Sequence, residues 1–205
     1  MSAPGPDPGA LPASYREVLY WSLGDRWWKL ALAQLLSLPL FAFWAVVFLR
    51  YASWLGDLPA HLRRFPELNA PLALAIGLLV LVLHELMHGA AMALFGAQPS
   101  YGIKWRKLLL YATAHGFAFR RNDYIGVALA PLVGLSGLAL AAIAILAGNP
   151  AGNPWVIWII VYGALNAAGA AGDLWIALIV LRFPPQARVI DERDGMRVFV
   201  EASFY

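Results

Sequence analysis

Long apolar runs broken by short charged ones dominate this chain. From Leu30 to Leu49 twenty residues pass without a charge, bounded by Lys29 and Arg50. That length crosses a bilayer core of about 30 Å as a helix. A second apolar run covers residues 71–96, long enough to cross with tilt. After Asp123 no charge or His appears until Asp173. This is too long for one crossing, and Gly148-Asn149-Pro150-Ala151-Gly152-Asn153-Pro154 cuts it with turn-forming residues. The pattern predicts a third span over about 124–146 and a fourth over about 155–181.

Between the second and third spans the period changes to two. Tyr101, Ile103 and Trp105 alternate with small or polar residues. Tyr111, Thr113, His115, Phe117 and Phe119 alternate with Ala112, Ala114, Gly116 and Ala118. Alternation is strand periodicity, so a β-hairpin is expected here, turning at Lys104-Trp105-Arg106-Lys107. A strand edge in this place could hold an extended peptide, with Thr113 supplying a backbone donor; the plain alternative is a hairpin that only packs on the membrane surface. The tail predicts a second hairpin, Arg188–Ile190 against Met196–Val200, turned at Asp194-Gly195. The expected fold class is therefore a membrane all-α protein: four transmembrane helices, a cytoplasmic-side β-hairpin between spans 2 and 3, and a short β-like C-terminal tail. Residues 15–200 are expected to form one membrane-embedded domain, with 201–205 as its end. Residues 1–14 are rich in Pro and Gly without an apolar core, and read as a disordered tail rather than a signal peptide.

Composition agrees with the span pattern. The chain of 205 residues is 61% hydrophobic and 13% charged, about half the charge fraction of a soluble domain. Mean hydropathy is +0.64. The net charge of +3 suits basic loops and argues against nucleic-acid binding. There is no Cys, which excludes disulfides and thiolate ligands. Lys104, Arg106, Lys107, Arg120 and Arg121 mark the second loop, and Arg182, Arg188, Arg193 and Arg197 the tail, as the basic side. Both termini are then expected in the cytoplasm of a multi-pass cell-membrane protein. Arg50, Arg63 and Arg64 in the first loop pull the other way.

Inside the second span lies Leu83-His84-Glu85-Leu86-Met87-His88-Gly89. Ionisable residues within a span are expensive and mark function. His84 and His88 fall one helical turn apart on one face, where both can bind one Zn2+ ion, and Glu85 is placed to activate water. A catalytic zinc usually has three protein ligands. Asp173, the one charge inside the fourth span, is the candidate third, and its depth in its span matches that of the His pair. Its plain alternatives are a solvated residue near a span end or a partner for Arg182. Asn166 lies seven residues before Asp173, close to the same helical face. It is a candidate to stabilise the developing oxyanion, or an ordinary interhelical hydrogen bond. His115 could swing toward the metal but reads first as a loop histidine; His61 reads as uninvolved, and Asp191, Glu192 and Asp194 as water-facing. Pro131, inside the third span, should kink it or leave backbone groups unpaired.

The residues His84-Glu85-Leu86-Met87-His88-Gly89, Ala128-Leu129-Ala130-Pro131, Asn166 with Gly172-Asp173, and Val189-Ile190-Asp191 leading to Gly195 resemble the zincin peptidase family of small bacterial membrane proteins. More distantly the layout is similar to the site-2 proteases, intramembrane zinc enzymes. The resemblance implies His84, His88 and Asp173 as ligands and Glu85 as general base. The chain departs from site-2 proteases in having Leu174 after Asp173 and no Pro between Asn166 and Asp173. The expected activity is a zinc metallopeptidase acting on membrane or membrane-proximal protein substrates. The rivals are a catalytically silent metal-binding regulator, against which Glu85 argues, and a small ion transporter, against which the lack of an internal repeat argues.

Overall fold

The computed structural model describes residues 11–63, 70–104, 109–149, 153–192 and 195–202. Strand β1 (Tyr15–Ser22) leads into helix α1 (Trp27–Leu55), short helix α2 (Leu58–Arg63) and helix α3 (Ala70–Leu94). Strands β2 (Ser100–Lys104), β3 (Leu109–Thr113) and β4 (Ala118–Arg120) follow. Then come helices α4 (Arg121–Leu146), α5 (Pro154–Gly169) and α6 (Ala171–Val180), and strands β5 (Arg188–Glu192) and β6 (Gly195–Glu201). Among the described residues α1, α3 and α4 are each long and apolar enough to cross a membrane, and α5 with α6 would make a fourth span if counted as one. Their outward surfaces are apolar: Leu35, Leu74 and Val133 are each more than 60% exposed.

The fourth apolar stretch, expected as a span over residues 155–181, is made of two helices, α5 and α6. It bends by 40° between α5 and α6. Gly169, Ala170, Ala171 and Gly172 offer almost no side chain to pack there, and Gly lowers helix propensity. The cap residue Ala170 still donates its N–H to Asn166 O at 3.1 Å. Asn166 thus lies in α5 and Asp173 in the first turn of α6.

The structure is mostly helical, and its strands go beyond the two expected hairpins. A four-stranded antiparallel sheet in the order β1-β6-β5-β4 accompanies the helices, and β2-β3 form a separate two-stranded one. The tail hairpin is present, with Arg188 opposite Phe199 and Glu192 opposite Gly195. Its turn at 193–194 lies outside the described residues, as do residues 1–10 of the expected tail and residues 105–108 of the first hairpin's turn. The alternating run from Tyr111 to Phe119 is two strands, not one. Gly116 adopts a positive φ of 71°, a conformation glycine takes without strain. The chain breaks there, and Phe119 pairs with Val189 instead of with β2.

By their contacts the residues fall into two compact units. One comprises the residues up to Ala31, Glu85–Ala130, and those from Gly172 on. Its core packs Trp21, Met92, Phe119 and Tyr124 against Val189, Met196, Val198 and Val200. Met196, Val198 and Val200 alternate along β6 and are at most 1% exposed, as a half-buried strand requires. The other unit comprises Leu32–His84 and Pro131–Ala171. Phe48, Ala139, Ile143, Val156 and Ile160 form its core. Gly163 lets the helices close up there, since a Cβ would stand 2.9 Å from Phe48 Cε2. His61, fully buried in this unit, holds a corner: its Nε2 bonds Ala147 O at 3.0 Å, and Asn153 N–H donates to its Nδ1 at 2.7 Å.

Candidate metal centre

Helix α3 is unbroken through His84, Glu85 and His88, so its own geometry sets the two imidazoles one turn apart. Each ring is steered by a hydrogen bond at Nδ1. His88 Nδ1 lies 2.9 Å from Val127 O. A carbonyl oxygen can only accept, so Nδ1 carries the proton. His84 Nδ1 lies 3.0 Å from Asn166 Oδ1. Asn166 Nδ2 donates to Pro131 O at 3.1 Å, which requires the amide's NH2 on that side and its oxygen toward His84. His84 is therefore also the Nδ1–H tautomer. When either ring is neutral, its lone pair therefore sits on Nε2.

His88 Nε2 stands 3.5 Å from Asp173 Oδ1, in the first turn of α6. A lone pair facing a carboxylate is repulsive unless a proton or a cation lies between them. Two donors about 2.0 Å from one zinc at tetrahedral angles are separated by about 3.3 Å, close to the spacing present. His84, His88 and Asp173 form a group that could hold a metal ion. Two Nε2 donors with fixed tautomers and one carboxylate are the donor set that zinc prefers when thiolates are absent.

Glu85 is anchored by the hairpin. Its Oε2 accepts the backbone N–H of Ala112, on β3, at 2.8 Å. This contact fits with the glycine after His88. A Cβ on Gly89 would fall on the hydroxyl of Tyr101, so a side chain there would displace the Tyr101 ring. Tyr101 is the cross-strand neighbour of Ala112. Gly89 and Glu85, one turn apart, thus receive the same hairpin. Glu85, His88, Tyr111, Tyr124, Asp173 and Asp191 help line a cavity of about 660 Å³.

Sequence reasoning missed Asp191 and Tyr124. Asp191 was expected in water, yet it lines this cavity and its Oδ1 accepts Tyr124 O–H at 2.8 Å. Burial pushes the Asp191 carboxyl up from 3.8 to about 6. Tyr124 is 3% exposed. The available signal was the sequence Val189-Ile190-Asp191, which places an acid in a strand otherwise fit for a core. Glu192 pairs with Arg197. His115 Nδ1 meets Ser100 Oγ at 3.2 Å on the surface and is not part of the metal group.

No curated protein and no solved structure matches the chain. A family's sequence model does match, over residues 77–188, which take in α3 with its His pair and run on through Asp173. The chain belongs to that family, described as putative zincin peptidase.

Proposed function

We propose that this protein is a membrane-embedded zinc metallopeptidase that hydrolyses peptide bonds of membrane or membrane-proximal proteins. The observation that carries the reading is the pair of Nδ1–H tautomers on α3, with His88 Nε2 facing Asp173 at 3.5 Å. His84, His88 and Asp173 would hold the zinc. When bound, zinc acidifies water toward a pKa of about 7 and polarises the scissile carbonyl. Glu85 takes the water's proton on its carboxylate and passes it to the leaving amine. The Ala112 N–H holds Oε2 and thereby presents the other oxygen. We take Asn166 as the residue that orients His84, since its Oδ1 and its NH2 group each have a partner.

The outer edge of β3 suits an extended substrate. Ala112 N–H points toward Glu85, so it points away from β2. In an antiparallel pair alternate residues turn to opposite edges. Leu110 and Ala112 therefore turn outward beside the cavity, and Thr113 turns to its partner Ser100. The donor offered to substrate is then on Leu110 rather than Thr113. Leu110→Pro should cut cleavage while zinc stays bound.

The deciding experiment measures metal and hydrolysis together in purified protein. About one zinc per chain is expected, with cleavage of a synthetic transmembrane peptide. Glu85→Gln should keep the metal and lose cleavage; Asp173→Ala should lose both. Full zinc in Asp173→Ala, or undiminished cleavage by Glu85→Gln, would overturn the reading. Labelling of single introduced Cys residues tests orientation: Cys at Gly152 should react from outside the cell, and Cys at Ser100 should not.

A further inference from the structure

Pro131 sits inside α4. In an α-helix the N–H of each residue bonds the carbonyl four residues earlier. Proline has no N–H, so the carbonyl at position 127 loses its helical donor. Val127 is 2% exposed, so water does not replace that donor. The carbonyl instead accepts His88 Nδ1–H at 2.9 Å. Pro131's own carbonyl accepts Asn166 Nδ2 at 3.1 Å, and Asn166 Oδ1 accepts His84 Nδ1–H at 3.0 Å. Both histidine tautomers thus trace to one residue, one through an N–H it lacks and the other through the carbonyl it keeps.

We propose that Pro131 is a positioning residue for the metal site: by withholding a helical N–H it frees the Val127 carbonyl to orient His88. The inference rests on the zinc reading above. A proline that merely bent α4 for packing would act on the fold as a whole. A positioning proline acts on metal affinity against the helix's own preference, because the helix would be sounder without it.

Those two roles separate in Pro131→Ala. The variant restores an N–H that competes with His88 for Val127 O, while the carbonyl of residue 131 remains for Asn166. The expected result is zinc binding weakened by about 10–100-fold, as for loss of other hydrogen bonds that orient a ligand. The zinc-free protein should unfold at the same temperature as wild type or higher. The visible spectrum of the Co2+-substituted variant should change, reporting an altered ligand set. Pro39→Ala, which removes the proline inside α1, serves as control and should leave zinc affinity unchanged. Wild-type zinc affinity in Pro131→Ala would overturn the proposal. So would a zinc-free Pro131→Ala that is less stable than wild type, or an equal loss of zinc in Pro39→Ala. Wild-type protein that binds neither zinc nor Co2+ would sink the metal reading, and this inference with it. Tight zinc in both wild type and Pro131→Ala would sink this inference only.

Discussion

His61 and His88 each bond a backbone carbonyl through one ring nitrogen, yet the second nitrogen leads to different chemistry. At His61 a backbone N–H occupies the lone pair, from Asn153 at 2.7 Å, and Nε2 serves Ala147 O. Both polar ends are spent on main chain, and the ring is a strut. At His88 the carbonyl accepts the Nδ1–H, and Nε2 faces a carboxylate. Burial does not separate the two cases; what meets the lone pair does. An N–H donor there makes a histidine structural, and an anion there calls for a cation.

The contrast is broken most directly by alanine at each position. His84→Ala and His88→Ala should each strip zinc from the purified protein, whereas His61→Ala should keep it at the wild-type level. Its cost is stability instead. The buried Ala147 carbonyl loses its partner, at about 1–3 kcal/mol, and the part-buried Asn153 N–H loses one too, so thermal unfolding in detergent should come earlier. Zinc loss in His61→Ala at a temperature where the protein is still folded would erase the distinction.

The acid beside the site sharpens it through pH. Asp191 has a folded pKa of about 6 against an ordinary 3.8, because burial favours its neutral form. A raised folded pKa gives stability that is fully present below the ordinary value and is lost as pH rises through the folded one. In zinc-free protein, stability should therefore fall by up to about 3 kcal/mol between pH 4 and pH 7 on account of this group. Asp191→Asn should flatten that part of the profile. An unchanged slope in the variant would assign the pH dependence to other groups.

The smallest effect belongs to the residue one step behind a ligand. Asn166→Ala leaves all three candidate ligands in place and removes only what orients His84. Zinc affinity should fall by about 10–100-fold without being abolished. Titration against a competing chelator reads this directly. Complete loss of zinc would make Asn166 part of the ligand set itself, and no loss would make its hydrogen bond to His84 incidental.

The helices and the His pair were legible because both are local. A run of apolar residues specifies its own helix, and a spacing of four fixes the relation of His84 to His88 without any tertiary contact. Asp173 was legible for an energetic reason: a lone acid in an apolar run is costly, so it must have a use. The tail hairpin could be read from alternation and Asp194-Gly195, since a hairpin's pairing is local too.

Other features depended on partners distant in sequence. Nothing in Tyr15–Ser22 says that it pairs with Gly195–Glu201, because a strand's partner is chosen by the whole fold. The break at Gly116 sent Phe119 to a different sheet although the alternation runs straight through it. Asp191 has the composition of a solvent-facing acid and became a cavity wall only when β5 was laid beside α4. Gly89 shows its purpose only with Tyr101 against it. The sequence by itself determined which residues could form a metal site, because cost and periodicity are carried by each residue and its near neighbours. Only the tertiary structure decided which nitrogen of each ring holds the proton, because that depends on the acceptor the fold supplies: Val127 O for His88 and Asn166 Oδ1 for His84.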